Sequence, residues 1–201
     1  MVDEKFFNQN KSIKNMVDSF NLSINFDSTG LLEKEEELYT MYPEDFLILD
    51  RFPMIINKSM EWFAPLDICF SPNEETPKEF FEVEKKFINT LTNLSCYSSL
   101  WIQSSFYFSQ RELPDFFTNE EKDYLLKMKD NPFIKIISPK ELSNFLKLSL
   151  RGYEQTTIYL PDLNIIAWVN ELVVSVFVKD KNYRKLIETI SSTEGLYIRK
   201  K

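Results

Sequence analysis

A chain of 201 residues that is 43% hydrophobic and 15% aromatic, with 18 Phe, is long and apolar enough to close a core without disulfide or metal staples. It holds no histidine, three scattered glycines and two cysteines in no paired spacing. These counts exclude Ser-His-Asp and Cys-His triads, imidazole bases and histidine-ligated metals, and they leave no glycine-rich loop to cradle a phosphate. Against 24 bases stand 31 acids, a net charge of −7 that repels nucleic acid and anionic lipid.

From the amino terminus, Phe6, Ile13, Val17 and Phe20 share one face of an amphipathic helix over 3–20, with Asp3 placed to cap it. Leu22, Ile24 and Phe26 alternate with polar residues, which predicts a half-buried strand closed by the turn-like Asp27-Ser28-Thr29-Gly30. A short helix follows over 31–40, with Leu31, Leu38 and Tyr39 inward and Glu33, Glu35, Glu36 and Glu37 mostly outward. Segments 46–49 and 54–56 read as strands that Pro43, Pro53 and Pro65 confine to sheet edges or short pieces. Thr76-Pro77-Lys78-Glu79 has the spacing of a capping box with proline at the first helical position, and Phe80, Val83, Phe87, Ile88, Leu91 and Leu94 continue that helix.

Leu100, Ile102, Phe106 and Phe108 give a β-like alternation over 99–108. Two further capping boxes, Thr118 with Glu121 and Ser138 with Glu141, open one helix to about Lys129 and another through Leu142, Phe145 and Leu146, with a strand at 133–137 between them. Runs 155–160, 163–169 and 172–178 are β-rich and joined by Pro161-Asp162 and Asn170-Glu171, connections short enough only for antiparallel hairpins. Tyr183, Leu186, Ile187 and Ile190 mark a helix over about 181–190, and a strand at 196–198 follows Gly195. The irregular mixture predicts an α+β fold: a mainly antiparallel sheet with a C-terminal three-strand meander, packed by several short amphipathic helices. One domain over 1–201 is expected, with a weak subdivision near 71–77 as its single candidate boundary.

The start, Met1-Val2-Asp3-Glu4-Lys5-Phe6-Phe7, lacks the basic and apolar regions of a secretory signal, and the longest apolar stretch, 163–178, is broken by Asn164, Asn170 and Glu171. A cytoplasmic location is the expectation. Cys69 and Cys96 are expected as buried thiols packed like small hydrophobes. Carboxylates remain the only available chemistry. Pro114-Asp115 followed by Glu120-Glu121-Lys122 has the residue types of a metal-dependent nuclease but not its spacing, and sequence places no glycosidase pair of acids. No catalytic, metal-binding or cofactor-binding residue is assigned, and no cofactor is expected.

Residues 1–50 hold 11 acids and 4 bases, a balance equal to the excess of the whole chain. The tract Glu33, Glu35, Glu36 and Glu37 is either the solvated side of a helix or an electrostatic docking surface. Trp62-Phe63 and Phe116-Phe117 fall in predicted loops, where large rings either fold back on the core or anchor a partner. These eight residues are the candidate partner-binding set. Trp101 and Trp168 read as core, and Arg199, Lys200 and Lys201 as a solubilising tail.

In general character, a small acidic α+β chain of this kind is similar to the immunity proteins with which bacteria neutralise toxins, many of them basic nucleases. The Asn-, Lys-, Ile- and Phe-rich composition points the same way, to an A/T-rich bacterial coding sequence. The expectation is a non-enzymatic module that binds a basic protein and neither nucleic acid nor membrane. The alternatives are a carboxylate-dependent hydrolase, with or without a divalent metal, and a structural or regulatory subunit of a larger assembly.

Overall fold

The computed structural model describes residues 15–16, 18–22, 31–53, 68–71, 75–107, 109 and 112–201. The strand expected at 54–56 and the pair Trp62-Phe63 lie outside them, as do most of the helix and strand expected over 3–26. Five helices are described: α1 (Glu35–Met41), α2 (Lys78–Ser95), α3 (Asn119–Met128), α4 (Pro139–Leu150) and α5 (Lys181–Thr193). The strands are β1 (Phe46–Asp50), β2 (Leu100–Ser104), β3 (Ile134–Ile136), β4 (Thr156–Leu160), β5 (Ile165–Asn170), β6 (Val173–Val178) and β7 (Tyr197–Lys200). They form one sheet in the order β3-β2-β4-β5-β6-β1-β7, with every neighbouring pair antiparallel. The fold is α+β, and the expected meander is β4-β5-β6.

Alternation along the strands sends side chains to two different cores. On the first face, Ile102, Ile158, Leu160, Ala167, Val174 and Val176 pack against Phe80, Phe87, Leu91 and Leu94 of α2, Leu142, Phe145 and Leu146 of α4, and Ile187 of α5. The second face presents Tyr159, Ile166, Trp168, Phe177 and Phe46, which meet Met16, Phe20, Leu31 and Leu38 from the N-terminal segment. Because both faces are covered, β4 is buried along its whole length, its two threonines included. Leu31 is gripped from the sheet: its amide donates to the Tyr159 hydroxyl at 3.1 Å, and its carbonyl accepts from the Trp168 indole at 2.7 Å. The Tyr159 hydroxyl in turn donates to Gln103 Oε1 at 2.9 Å, so the buried phenol is fully used.

Four expectations need correction. The strand expected at 46–49 is a short piece, of five residues, but not an edge: β1 lies between β6 and β7, and Pro43 and Pro53 fall just outside it, where no ladder hydrogen bond is needed. Thr76 does not cap α2. The helix starts one residue later, with extended Pro77 at its N-cap, and the Thr76 hydroxyl instead bonds the Ser71 amide at 3.2 Å and carbonyl at 3.0 Å. Cys69 and Cys96 are exposed rather than buried, Cys96 because it follows the last turn of α2 where the chain leaves the core. Arg199 and Lys200 are not a tail. They belong to β7, which pairs with β1 through Ile48↔Arg199 and Leu47↔Lys200.

The capping boxes of α3 and α4 form as expected, with Thr118 and Ser138 each exchanging hydrogen bonds with the glutamate three residues on. Gly152 and Gly195 end α4 and α5 at φ of 72° and 75°, which a Cβ disfavours. Each glycine begins a paired closure, Gly152 N to Ser149 O with Tyr153 N to Leu148 O, and Gly195 N to Ser192 O with Leu196 N to Ser191 O. The apolar cluster of the first face includes Leu49 as well as residues of 80–196, so packing joins residues on both sides of 71–77. Among the described residues, no helix is long and apolar enough to cross a membrane.

Candidate functional site

The acidic tract folds into a corner where α1 meets the residue that follows β7. Three glutamates in the first turn of α1 suit the positive end of a helix, and Leu38 turns inward to hold the helix on the second face. Tyr39 packs edge-on against Phe46, with ring centroids 5.4 Å apart. Since Lys200 pairs with Leu47, the next residue, Lys201, is delivered beside Phe46 and over α1. Its ammonium lies 2.5 Å from Glu35 Oε1 and 3.1 Å from Glu36 Oε1, and 4.8 Å from the Tyr39 ring centre and 5.4 Å from that of Phe46. Tyr39 donates its hydroxyl to the Lys201 carbonyl at 3.4 Å. Burial alone would lower the Lys201 pKa, but the hydrogen bonds and charges of Glu35 and Glu36 outweigh it and hold the ammonium above the ordinary lysine value.

Further pairs surround this centre. Lys34 bridges Glu37 at 3.0 Å, Lys200 reaches Glu44 at 3.3 Å, and Arg184 meets Asp45 at 2.7 Å. Six acids (Glu33, Glu35, Glu36, Glu37, Glu44 and Asp45) thus face four bases (Lys34, Arg184, Lys200 and Lys201), so much of the negative charge seen in the sequence is compensated within the chain. What remains outward is specific. Glu33 is exposed, and the side chains of Glu36, Glu37 and Glu44 are 81%, 51% and 84% exposed.

The aromatic candidates are elsewhere. Phe117 is buried in the first-face core and Phe116 is half-buried beside it, on the side of the sheet opposite α1. Phe116 stacks over the Arg151 guanidinium at 4.1 Å, with Phe70 and Phe81 at 4.9 and 5.5 Å, while Arg151 grips Glu84 through two bonds of 2.6 and 2.9 Å. This ring of phenylalanines is filled by the protein's own cation. No local pattern reveals it, because its members come from three separated segments.

Among the described residues, the two buried acids are each held by a cation, Glu84 by Arg151 and Asp50 by Arg199 at 3.0 Å, and the half-buried Glu121 lies 3.5 Å from Lys147. Partial burial acts to raise the Glu121 pKa, yet hydrogen bonds from the Thr118 amide and hydroxyl, with the Lys147 charge, hold it below the ordinary glutamate value. Asp162 is lowered chiefly by the Ser99 amide, 2.7 Å away. Carboxyls lowered in this way, as Glu121 and Asp162 are, suit ion pairing better than proton transfer near neutral pH, which needs a raised pKa. The residues Asp115, Glu120 and Glu121 of the nuclease-like string are spent on Lys122, Lys140 and a helix cap with Lys147. Among the described residues, no cluster of three or more Cys, Asp or Glu side chains could hold a metal ion. No family model matches the chain, and no curated protein or solved structure is detectably similar to it.

Proposed function

We propose that the chain is a non-enzymatic protein-binding module that recognises a basic partner through the corner built on α1, most concretely as an immunity-type inhibitor that neutralises a bacterial toxin. The observation that supports this reading is the outward projection of Glu33, Glu36, Glu37 and Glu44 from one rigidly held corner. The bridge from Glu44 to Lys200 is solvent-exposed on both sides, and a pair of that kind is worth about 0–1 kcal/mol, so a partner's Lys or Arg can replace it at little cost. Attraction between such a corner and a basic surface raises the association rate and fades with added salt.

The test is a pull-down from the host lysate with the native chain and with the triple variant Glu33→Lys, Glu36→Lys, Glu37→Lys. A strongly basic protein should be retained at low salt by the native chain and lost with the variant. Co-expression with that protein should then relieve any growth arrest it causes. Retention that survives charge reversal, or the lack of any basic protein among those retained, counts against the reading.

A further inference from the structure

We infer that Glu35, Glu36, Tyr39 and Phe46 form a binding box for a single lysine or arginine side chain, and that Lys201 occupies it as a resident stand-in for the partner's residue. This rests on the docking reading given above and names the point of recognition within it. Two carboxylate oxygens at 2.5 and 3.1 Å supply the counter-charge, and two ring faces at 4.8 and 5.4 Å supply cation–π attraction, the combination that selects an organic cation over a hydrated metal ion. The box is set on firm supports. Phe46 is 1% exposed, lies in β1 and stacks on Trp168 at 5.8 Å, while Tyr39 is held edge-on against Phe46.

Among the described residues, Lys201 is held by the box and by its place after strand β7, whose last paired residue is Lys200. Its side chain is 19% exposed, so solvent reaches the site. A tethered lysine competes at an effective concentration on the order of millimolar or higher, and a partner must outbid it. Displacement would expose Glu35, which is now largely screened, and enlarge the acidic surface presented to the rest of the partner.

The experiment uses butylammonium as the probe, titrated into the native chain and into Lys201→Ala while the ring resonances of Tyr39 and Phe46 are followed by NMR. The emptied box should bind butylammonium at least about tenfold more tightly than the native chain, because the competing ammonium is gone. The shifts should be confined to residues 35–46, and the affinity should fall with added salt. Lys201→Met keeps the aliphatic stem and serves as a second vacated box should Lys201→Ala unfold; Glu35→Gln placed on either background should abolish the gain. Equal affinity for native and vacated chains, or shifts scattered over the surface, overturns the inference. That outcome would leave docking by the outward Glu33, Glu37 and Glu44 standing, whereas loss of charge-dependent partner capture with intact butylammonium binding would strike the docking reading instead.

Discussion

Arg151 is the residue whose removal should be felt most. Its side chain and that of Glu84 are 9% and 7% exposed, so Arg151→Ala leaves a carboxylate buried without its counter-ion and strips the cation from three phenylalanine faces. The expected loss is roughly 3–5 kcal/mol in a urea titration. Replacing both partners, as in Glu84→Leu with Arg151→Met, should cost much less than either single truncation, because neither charge then has to be desolvated. A double variant as unstable as Arg151→Ala would mean that the stacking, not the ion pair, carries the energy. Tyr159→Phe makes a sharper test of one hydroxyl. It removes the acceptor for the Leu31 amide and the donor to Gln103, and should cost about 1–3 kcal/mol.

Elements whose determinants are local could be read from the sequence. Thr118 and Ser138 are N-caps with a glutamate three residues on, and both boxes close; Thr118→Ala and Ser138→Ala should each cost about 1 kcal/mol. Thr76 has the same spacing but stands one residue outside its helix, bonded to Ser71, so Thr76→Ala should leave α2 intact by circular dichroism. The meander was legible because its two connections are too short for anything but hairpins. The place of β1 was not, since proline at Pro43 and Pro53 restricts only the backbone it occupies and says nothing about which distant strands flank residues 46–50. The candidate site divides the same way. The glutamates of α1 were visible as a charge run, but their closure on Lys201 depends on β7 lying beside β1, a pairing across about three-quarters of the chain that no local pattern encodes.

For the whole molecule, the lack of histidine leaves no imidazole to titrate near neutral pH. Glu121 and Asp162 have lowered pKa values, so their contribution is present above the ordinary carboxylate range and is lost as pH falls through the lowered values. Lys201 is raised, so its contribution is present below the ordinary lysine value and is lost as pH rises through the raised one. Burial, then the Glu141 charge, pushes Tyr124 up to about 12, and burial drives Tyr159 further still. Both phenols keep their protons in the fold after the unfolded chain has begun to release them. Unfolding midpoints should therefore form a plateau between about pH 6 and 9, declining below about pH 4 and above about pH 10. A large step between pH 6 and 8 would instead point first to a carboxyl with a strongly raised pKa, ahead of a lowered thiol or the terminal amine, and reopen the hydrolase alternative. The insertion of β1 between β6 and β7 also bears on how the chain is made. A ribosome releases residues 46–50 before either neighbouring strand exists, and at ~5–20 residues per second the partners arrive on the order of 10 s later. Leu31 waits as well, for Tyr159 and Trp168. Through that interval residues 46–50 lack both flanking strands, and the apolar side chains of β1 and Leu31 stay open to solvent; ribosome-bound chains stalled before residue 173 should be cut by protease within 31–50, and released full-length chains should not.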